Sequence, residues 1–300
     1  MTNIPSELKT VYPFKSNYQP VVDKNGHSHN IHFVAEGDPT EIPVIMVHGN
    51  PTWSFFYRNL IKDLSKTRRV ISIDHTGCGL SDKPQDFSYS LEEHIEILNQ
   101  VFEKQVLPHL KEDVGFELIV HDWGGAIGMG LARKWKDLVR KVVIMNTAAF
   151  TDANIPKRIS ICKLPYLGEK LVRYFNAFAW PATFMAVERP MKNIIKKGYL
   201  LPYNNYKNRI ATAKFVKDIP MSKDHLSWNT LKSIEDDLKN IPGEKLILWG
   251  KKDFCFTPHF YERWCKIYPQ AQKEMLETAG HYLLEDEPEK TSRIIQEFLQ

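Results

Sequence analysis

The chain has 300 residues, 43% hydrophobic and 25% charged, with a formal net charge of +4, which leaves room for one large core with an insertion or for two ordinary domains. No apolar run approaches the ~20 residues of a membrane span, and so mild a charge with no basic reader motif argues against nucleic-acid binding. Cys78, Cys162, Cys255 and Cys265 form no Cys-x-x-Cys pair, so free thiols in a reducing compartment are expected, and neither a redox nor a zinc site.

The first residues, Met1-Thr2-Asn3-Ile4-Pro5-Ser6-Glu7, have neither a basic start nor an apolar stretch. A short tail on a cytoplasmic protein is expected, with no signal peptide. Tyr12-Pro13-Phe14 and residues 29–37 then read as early strands around the turn Asp23-Lys24-Asn25-Gly26. His27 and His29 share a strand face while His32 points to the other, and no acid or cysteine completes a ligand set. Solvated strand histidines are expected, not a metal site.

Residues 42–47 are a continuous apolar run, as in a parallel strand covered on both faces. The run opens into His48-Gly49-Asn50-Pro51-Thr52-Trp53, with a helix predicted over 53–66, which puts Asn50 at the mouth of the sheet. Another strand, 69–74, leads into Thr76-Gly77-Cys78-Gly79-Leu80-Ser81-Asp82. A dinucleotide fingerprint would need a third glycine where Asp82 stands and a helix directly after it, so a structural loop is the reading and no cofactor is expected. Helical spacing returns over 91–110, with Ile95, Leu98, Val101, Phe102 and Val106 on one side.

The apolar run Phe116-Glu117-Leu118-Ile119-Val120 then feeds into His121-Asp122-Trp123-Gly124-Gly125. A strand stopping at a polar residue, with small residues beside it and a helix predicted over 123–136, has the form of the nucleophile elbow of α/β-hydrolases. The apex residue is an aspartate where serine is usual. At a helix N-terminus a carboxylate is favoured by unpaired N–H groups and the helix dipole. Asp122 is therefore expected to be ionised, and to attack a carbon electrophile such as an alkyl carbon with a leaving group, an epoxide or a strained lactone. By itself an acid at a helix start is more often a plain N-cap.

A strand over 141–146 follows, and the alternation of strand and helix breaks near Ala148. Residues 149–238 are helical, aromatic and lysine-rich, with Lys163, Lys170, Lys192, Lys196, Lys197, Lys207, Lys214 and Lys217 read as a solvated face. Strand character resumes at 245–249. Two more functional candidates follow strands, Asp253 and His281, and the order nucleophile, acid, histidine is that of α/β-hydrolases. Asp286-Glu287-Pro288 reads as an ordinary acidic start to the last helix. The expected architecture is a doubly wound, mostly parallel sheet, with residues 1–148 and 239–300 as core and 149–238 as a helical cap over the carboxyl ends of the strands.

His48-Gly49-Asn50-Pro51-Thr52 and His121-Asp122-Trp123-Gly124 resemble the two signatures of the haloalkane dehalogenase branch of the α/β-hydrolases. In that branch the asparagine and the tryptophan after the nucleophile hold the departing halide, and Asn50 and Trp123 occupy those places. A narrower resemblance covers nearly the whole chain. Asp74-His75-Thr76-Gly77-Cys78-Gly79, Asn146-Thr147-Ala148-Ala149-Phe150, Asn208-Arg209-Ile210-Ala211-Thr212 and Gly280-His281-Tyr282-Leu283 look like the cis-β-lactone decarboxylases of long-chain olefin biosynthesis.

That resemblance implies decarboxylation of cis-3,4-dialkyl β-lactones to cis-alkenes and CO2, with Asp122, His281 and Asp253 catalytic and Asn50 and Trp123 at the leaving-group pocket. It implies no cofactor, a hydrophobic small-molecule substrate, and assembly with the β-lactone synthetase and reductase of the same pathway. Haloalkane dehalogenation through an alkyl ester on Asp122 is the alternative, then epoxide hydrolysis, whose paired cap tyrosines the sequence does not establish. A noncatalytic binder with a helical cap is the third class.

Overall fold

The computed structural model describes residues 4–111, 114–152 and 156–300. Eight strands form one sheet: β1 Asn17–Val22, β2 Ser28–Glu36, β3 Pro43–Val47, β4 Arg69–Ile73, β5 Phe116–Asp122, β6 Val139–Thr147, β7 Glu244–Gly250 and β8 Gln272–Leu276. Their spatial order is β1-β2-β4-β3-β5-β6-β7-β8. β2 runs antiparallel to β1 and β4, and all other pairs are parallel.

The long apolar runs become central strands because both of their faces are covered. Ile45, Val47, Leu118, Val120, Val142 and Ile144 pack on one side of the sheet, while Val44, Met46, Ile119, Val143 and Met145 pack on the other. This is the two-residue period of a strand expressed as two cores. The chain leaves β3 toward β4 on one side and later enters β5 on the other. The carboxyl ends of β3 and β5 therefore meet at a switch point, where open α/β sheets leave a crevice.

Several sequence expectations shift. Tyr12-Pro13-Phe14 is not a strand: Tyr12 is buried with its ring 5.0 Å from that of Trp53 and its hydroxyl 2.6 Å from Ser54 Oγ. The first strand is Asn17–Val22, whose Pro20 is tolerated on an edge that needs no further N–H donor. The helix expected over 53–66 starts as a 3-10 turn, Ser54–Tyr57, and becomes α-helical only over Arg58–Leu64. Leu91–Gln105 stops short of residue 110, where Pro108 falls in a 3-10 turn, and the helix after the elbow is Trp123–Lys134.

The histidine expectation is corrected at two of three positions. His27 is exposed, but His29 and His32 are buried. His32 Nδ1 lies 2.8 Å from Asp74 Oδ2, and His29 Nε2 lies 3.0 Å from Thr76 Oγ1. β2 is interior to the sheet, so its polar side chains meet the loop after β4 and not water. Asp74 also accepts N–H bonds from Ser54 at 2.7 Å and Leu80 at 2.9 Å, joining the segments that follow β3 and β4.

Between β6 and β7 the described residues hold helices and no strand: Lys157–Lys163, Leu167–Phe175, Ala179–Met185, Asn193–Leu200, Ile210–Lys217 and Trp228–Asp237. The last of these packs on Leu91–Gln105 and Trp123–Lys134. Asn193–Leu200 is tied down by a buried ion pair. Arg58 makes two bonds to Glu285, of 2.5 and 2.7 Å, and the Tyr199 hydroxyl donates to the same carboxylate at 2.5 Å. Among the described residues no helix is long and apolar enough to cross a membrane.

Candidate active site

Asp122 ends β5 with φ 51° and ψ −127°, a conformation that costs a non-glycine residue about 1–3 kcal/mol and persists only where its surroundings impose it. The surroundings do so here. Gly124 lies so close to the Val47 carbonyl oxygen, and Gly49 so close to the Asp122 carboxylate, that a Cβ at either position would overlap those atoms. The Thr147 hydroxyl donates to the Asp122 backbone carbonyl. The turn is thereby held tightly, and the carboxylate stands up at the end of the sheet.

Asp122 Oδ1 accepts the backbone N–H of Asn50 at 2.6 Å, and the Trp123 N–H also bonds to the carboxylate. The other oxygen, Oδ2, lies 3.7 Å from His281 Nε2. On the far side of the imidazole, Nδ1–H donates to Asp253 Oδ2 at 2.7 Å. Asp253 is itself fixed: Oδ1 accepts from the N–H groups of Cys255 at 2.6 Å and Phe256 at 3.0 Å, while Oδ2 also accepts from Asn146 Nδ2 at 2.8 Å. The three side chains expected to work together do lie in one line.

Burial pushes the Asp122 carboxyl up to about 6, against the pull of His281 and of the two backbone N–H groups. It is still mostly ionised at neutral pH. For His281, burial alone would lower the pKa, but the charge and hydrogen bond of Asp253, and then the charge of Asp122, outweigh it and raise it. The site thus holds a buried negative oxygen beside an imidazole that favours its proton. Burial, then the nearby Asp253 and Asp122 charges, push the Cys255 thiol well up, so that sulfur stays protonated beside the carboxylates.

Asn50 and Trp123 also reach the site, both lining a cavity with Asp122. The Asn50 side chain donates to the Thr212 carbonyl at 3.2 Å, which joins the loop after β3 to helix Ile210–Lys217. Its Oδ1 is buried without a partner. The two backbone donors, from Asn50 and Trp123, are taken up by the carboxylate of Asp122 itself.

Two residues at the site carry more than sequence reasoning assigned them. Asn146, with φ 35°, bonds to Asp253 and exchanges bonds with Gly250 at 3.1 and 2.7 Å, and no local spacing signals this. Asp286 is not an ordinary helix start. It is fully buried and accepts N–H bonds from Gly280 at 2.8 Å and from Glu188 and Arg189 at 2.9 Å each. Together with the 2.7 Å bond from Tyr282 N–H to the Ala186 carbonyl, it fastens the histidine loop to the helical segment. Among the described residues no group of three or more His, Cys, Asp or Glu is placed to hold a metal ion.

Comparison with known proteins shows the family. A family model for the alpha/beta hydrolase fold matches residues 42–288. A cis-3-alkyl-4-alkyloxetan-2-one decarboxylase of Shewanella oneidensis is 39% identical over 97% of this chain and 90% of its own. The protein of that name in Xanthomonas campestris pv. campestris is 37% identical over 89% and 91%. Haloalkane dehalogenase 2 of Mycobacterium tuberculosis is 29% identical over 96% of each chain. The crystal structure of haloalkane dehalogenase DbeA from Bradyrhizobium elkani superposes with a TM-score of 0.83 over 95% of this chain and 97% of its own, at 22% identity, a likeness of fold. The chain belongs to the α/β-hydrolase fold family, on the branch that holds the cis-3-alkyl-4-alkyloxetan-2-one decarboxylases.

Proposed function

We propose that the chain decarboxylates cis-3,4-dialkyl β-lactones to cis-alkenes, with Asp122 as nucleophile. The observation that carries the reading is a buried, ionisable carboxylate at the elbow, 3.7 Å from a histidine that Asp253 holds, in a chain 39% identical to a decarboxylase of this class. Asp122 attacks the ring carbon that bears oxygen, the carbon–oxygen bond breaks, and that centre inverts as a free carboxylate forms. The electrons of the bond to that carboxylate then form the alkene as CO2 departs and Asp122 leaves from the opposite face. Inversion followed by anti elimination turns a cis lactone into a cis alkene.

No water and no net proton enter this sequence. His281, whenever it carries its proton beside Asp122, would make the carboxylate a better leaving group in the second step. With their backbone N–H groups taken up by Asp122, Asn50 and Trp123 would steady the developing carboxylate through side-chain N–H groups, each worth about 2.7–4 kcal/mol by analogy with oxyanion holes. The residues between β6 and β7, 149–238, serve as the lid, and 1–148 with 239–300 as the core. We place the enzyme in the cytoplasm, assembled with the synthetase that makes its lactone and the reductase before it.

The test is a purified sample given a cis-disubstituted β-lactone. Alkene and CO2 are expected, and hydroxy acid as the only product would overturn the reading. The same constellation could hydrolyse an alkyl halide, as in the dehalogenases at 29% identity. In that case His281→Phe would accumulate an alkyl ester on Asp122, seen as a mass increase.

A further inference from the structure

Two separate apolar cavities meet at Asp122. The smaller, of about 120 Å³, runs between the exit of β6, helix Trp123–Lys134 and the helical segment, past Ala126, Ala148, Phe150 and Leu231. The larger, of about 490 Å³, runs beneath Lys157–Lys163, Leu167–Phe175 and Ala179–Met185, past Ile161, Leu171, Ala182 and Met185. Asn50, Asp122, Ile159, Phe178 and Cys255 line both, so these residues form a waist with the carboxylate on it. Trp123 borders only the small cavity and His281 only the large one.

The two cavities end differently. Asp152 lines the small one, and its carboxylate is paired with Arg263 at 3.1 Å and with His259 at 2.9 Å. A hydrocarbon chain entering there meets a charged carboxylate whose partners reach solvent, and has about a quarter of the space that the other cavity offers. The large cavity is walled mainly by aliphatic side chains of the helical segment. A small ring seated at the shared waist can send one chain into each cavity.

Resting on the lactone reading, we propose that the two alkyl chains of the substrate part at Asp122 into these unequal arms, so that the enzyme limits chain length at one ring carbon and tolerates it at the other. The arms then fix which way round the ring sits over the carboxylate. A lactone presented the other way has its long chain in the small arm against Asp152 and its reacting carbon displaced. Ala148 and Ala182 set the bore of the small and large arm respectively.

The experiment uses two regioisomeric cis-β-lactones, one with methyl at C3 and a long chain at C4 and the other reversed. Alkene release from each is measured as kcat/KM with the full-length chain. The two isomers are expected to differ at least tenfold. Ala148→Leu should move their ratio further in the same direction and Ala182→Phe in the opposite one, with thermal melts of both variants reporting that they are folded. Equal kcat/KM for the isomers, or variants that slow both alike, would overturn the two-arm assignment while leaving the decarboxylase reading intact. Absence of alkene from the wild-type chain with either isomer would instead overturn that reading, and this inference with it.

Discussion

Asp122 has opposite effects on activity and stability, and pH separates them. Burial holds its carboxyl at about 6 in the fold, against an ordinary 3.8. Between those values the native state binds more protons than the unfolded one. The stability that this carboxyl contributes is therefore complete below about pH 4 and is lost as pH rises through about 6. A shift of this size corresponds to roughly 3 kcal/mol. Asp122→Asn, with no charge to bury, is expected to be more stable than the wild-type chain at about pH 8 by up to that amount, with the gap closing toward about pH 4. Melts of both proteins across pH check this. The same substitution should cut turnover by about 1,000-fold or more, because an amide cannot form the ester. Wild-type turnover should fall about tenfold per pH unit below about 6, as the nucleophile takes up its proton. Oxygen isotopes add a further test. Elimination breaks no bond to water, so repeated turnover in heavy-oxygen water should leave the Asp122 carboxylate unlabelled in its tryptic peptide. Hydrolysis of an ester would label it.

Elements differ in how openly the sequence declares them, and the difference follows burial. β3, β5 and β7 are apolar runs because both of their faces are covered, and each was legible. Asp122 ends one of them and Asp253 comes shortly after another, so two candidate site residues could be found from strand ends, and His281 from the turn after β8. β1 was missed because Asn17–Val22 is an edge strand with a proline and only one buried residue, Val21, and nothing in its alternation distinguishes it from a loop. The roles of Asn146 and Asp286 were hidden for another reason. Their partners lie on segments up to about a hundred residues away, such as Gly250 and Glu188, and no local spacing encodes a contact of that range. Asp286 is also where an element-scale prediction belongs. Its carboxylate serves three N–H groups, and an asparagine would turn its own NH2 toward one of them. Asp286→Asn is expected to lower stability by about 1–3 kcal/mol and to slow turnover through His281, whereas Asp286→Glu should recover part of the rate. Urea denaturation and steady-state kinetics measure the two effects.

At the scale of the whole molecule, the helices between β6 and β7 are bonded to the rest of the chain at many points, one of them built on a buried charge pair. The Arg58–Glu285 pair, with Tyr199 as third member, is buried, and the Arg58 guanidinium also lies 4.5 Å from the centre of the Phe55 ring. Arg58→Met would leave the Glu285 charge in the interior with one hydroxyl donor, at a cost of about 3–5 kcal/mol. Adding Glu285→Gln should restore part of that, because the stranded charge is gone while Tyr199 keeps an acceptor. Denaturant midpoints of the single and double variants test the coupling. The bonds that Asp286 and Tyr282 make to residues 186–189 carry a further consequence. Were the stretch 179–189 to swing away as one piece, Gly280 through Tyr282 would travel with it and the imidazole would lose its alignment with Asp253. Any rearrangement of these helices that keeps the reactive geometry must therefore leave this corner latched.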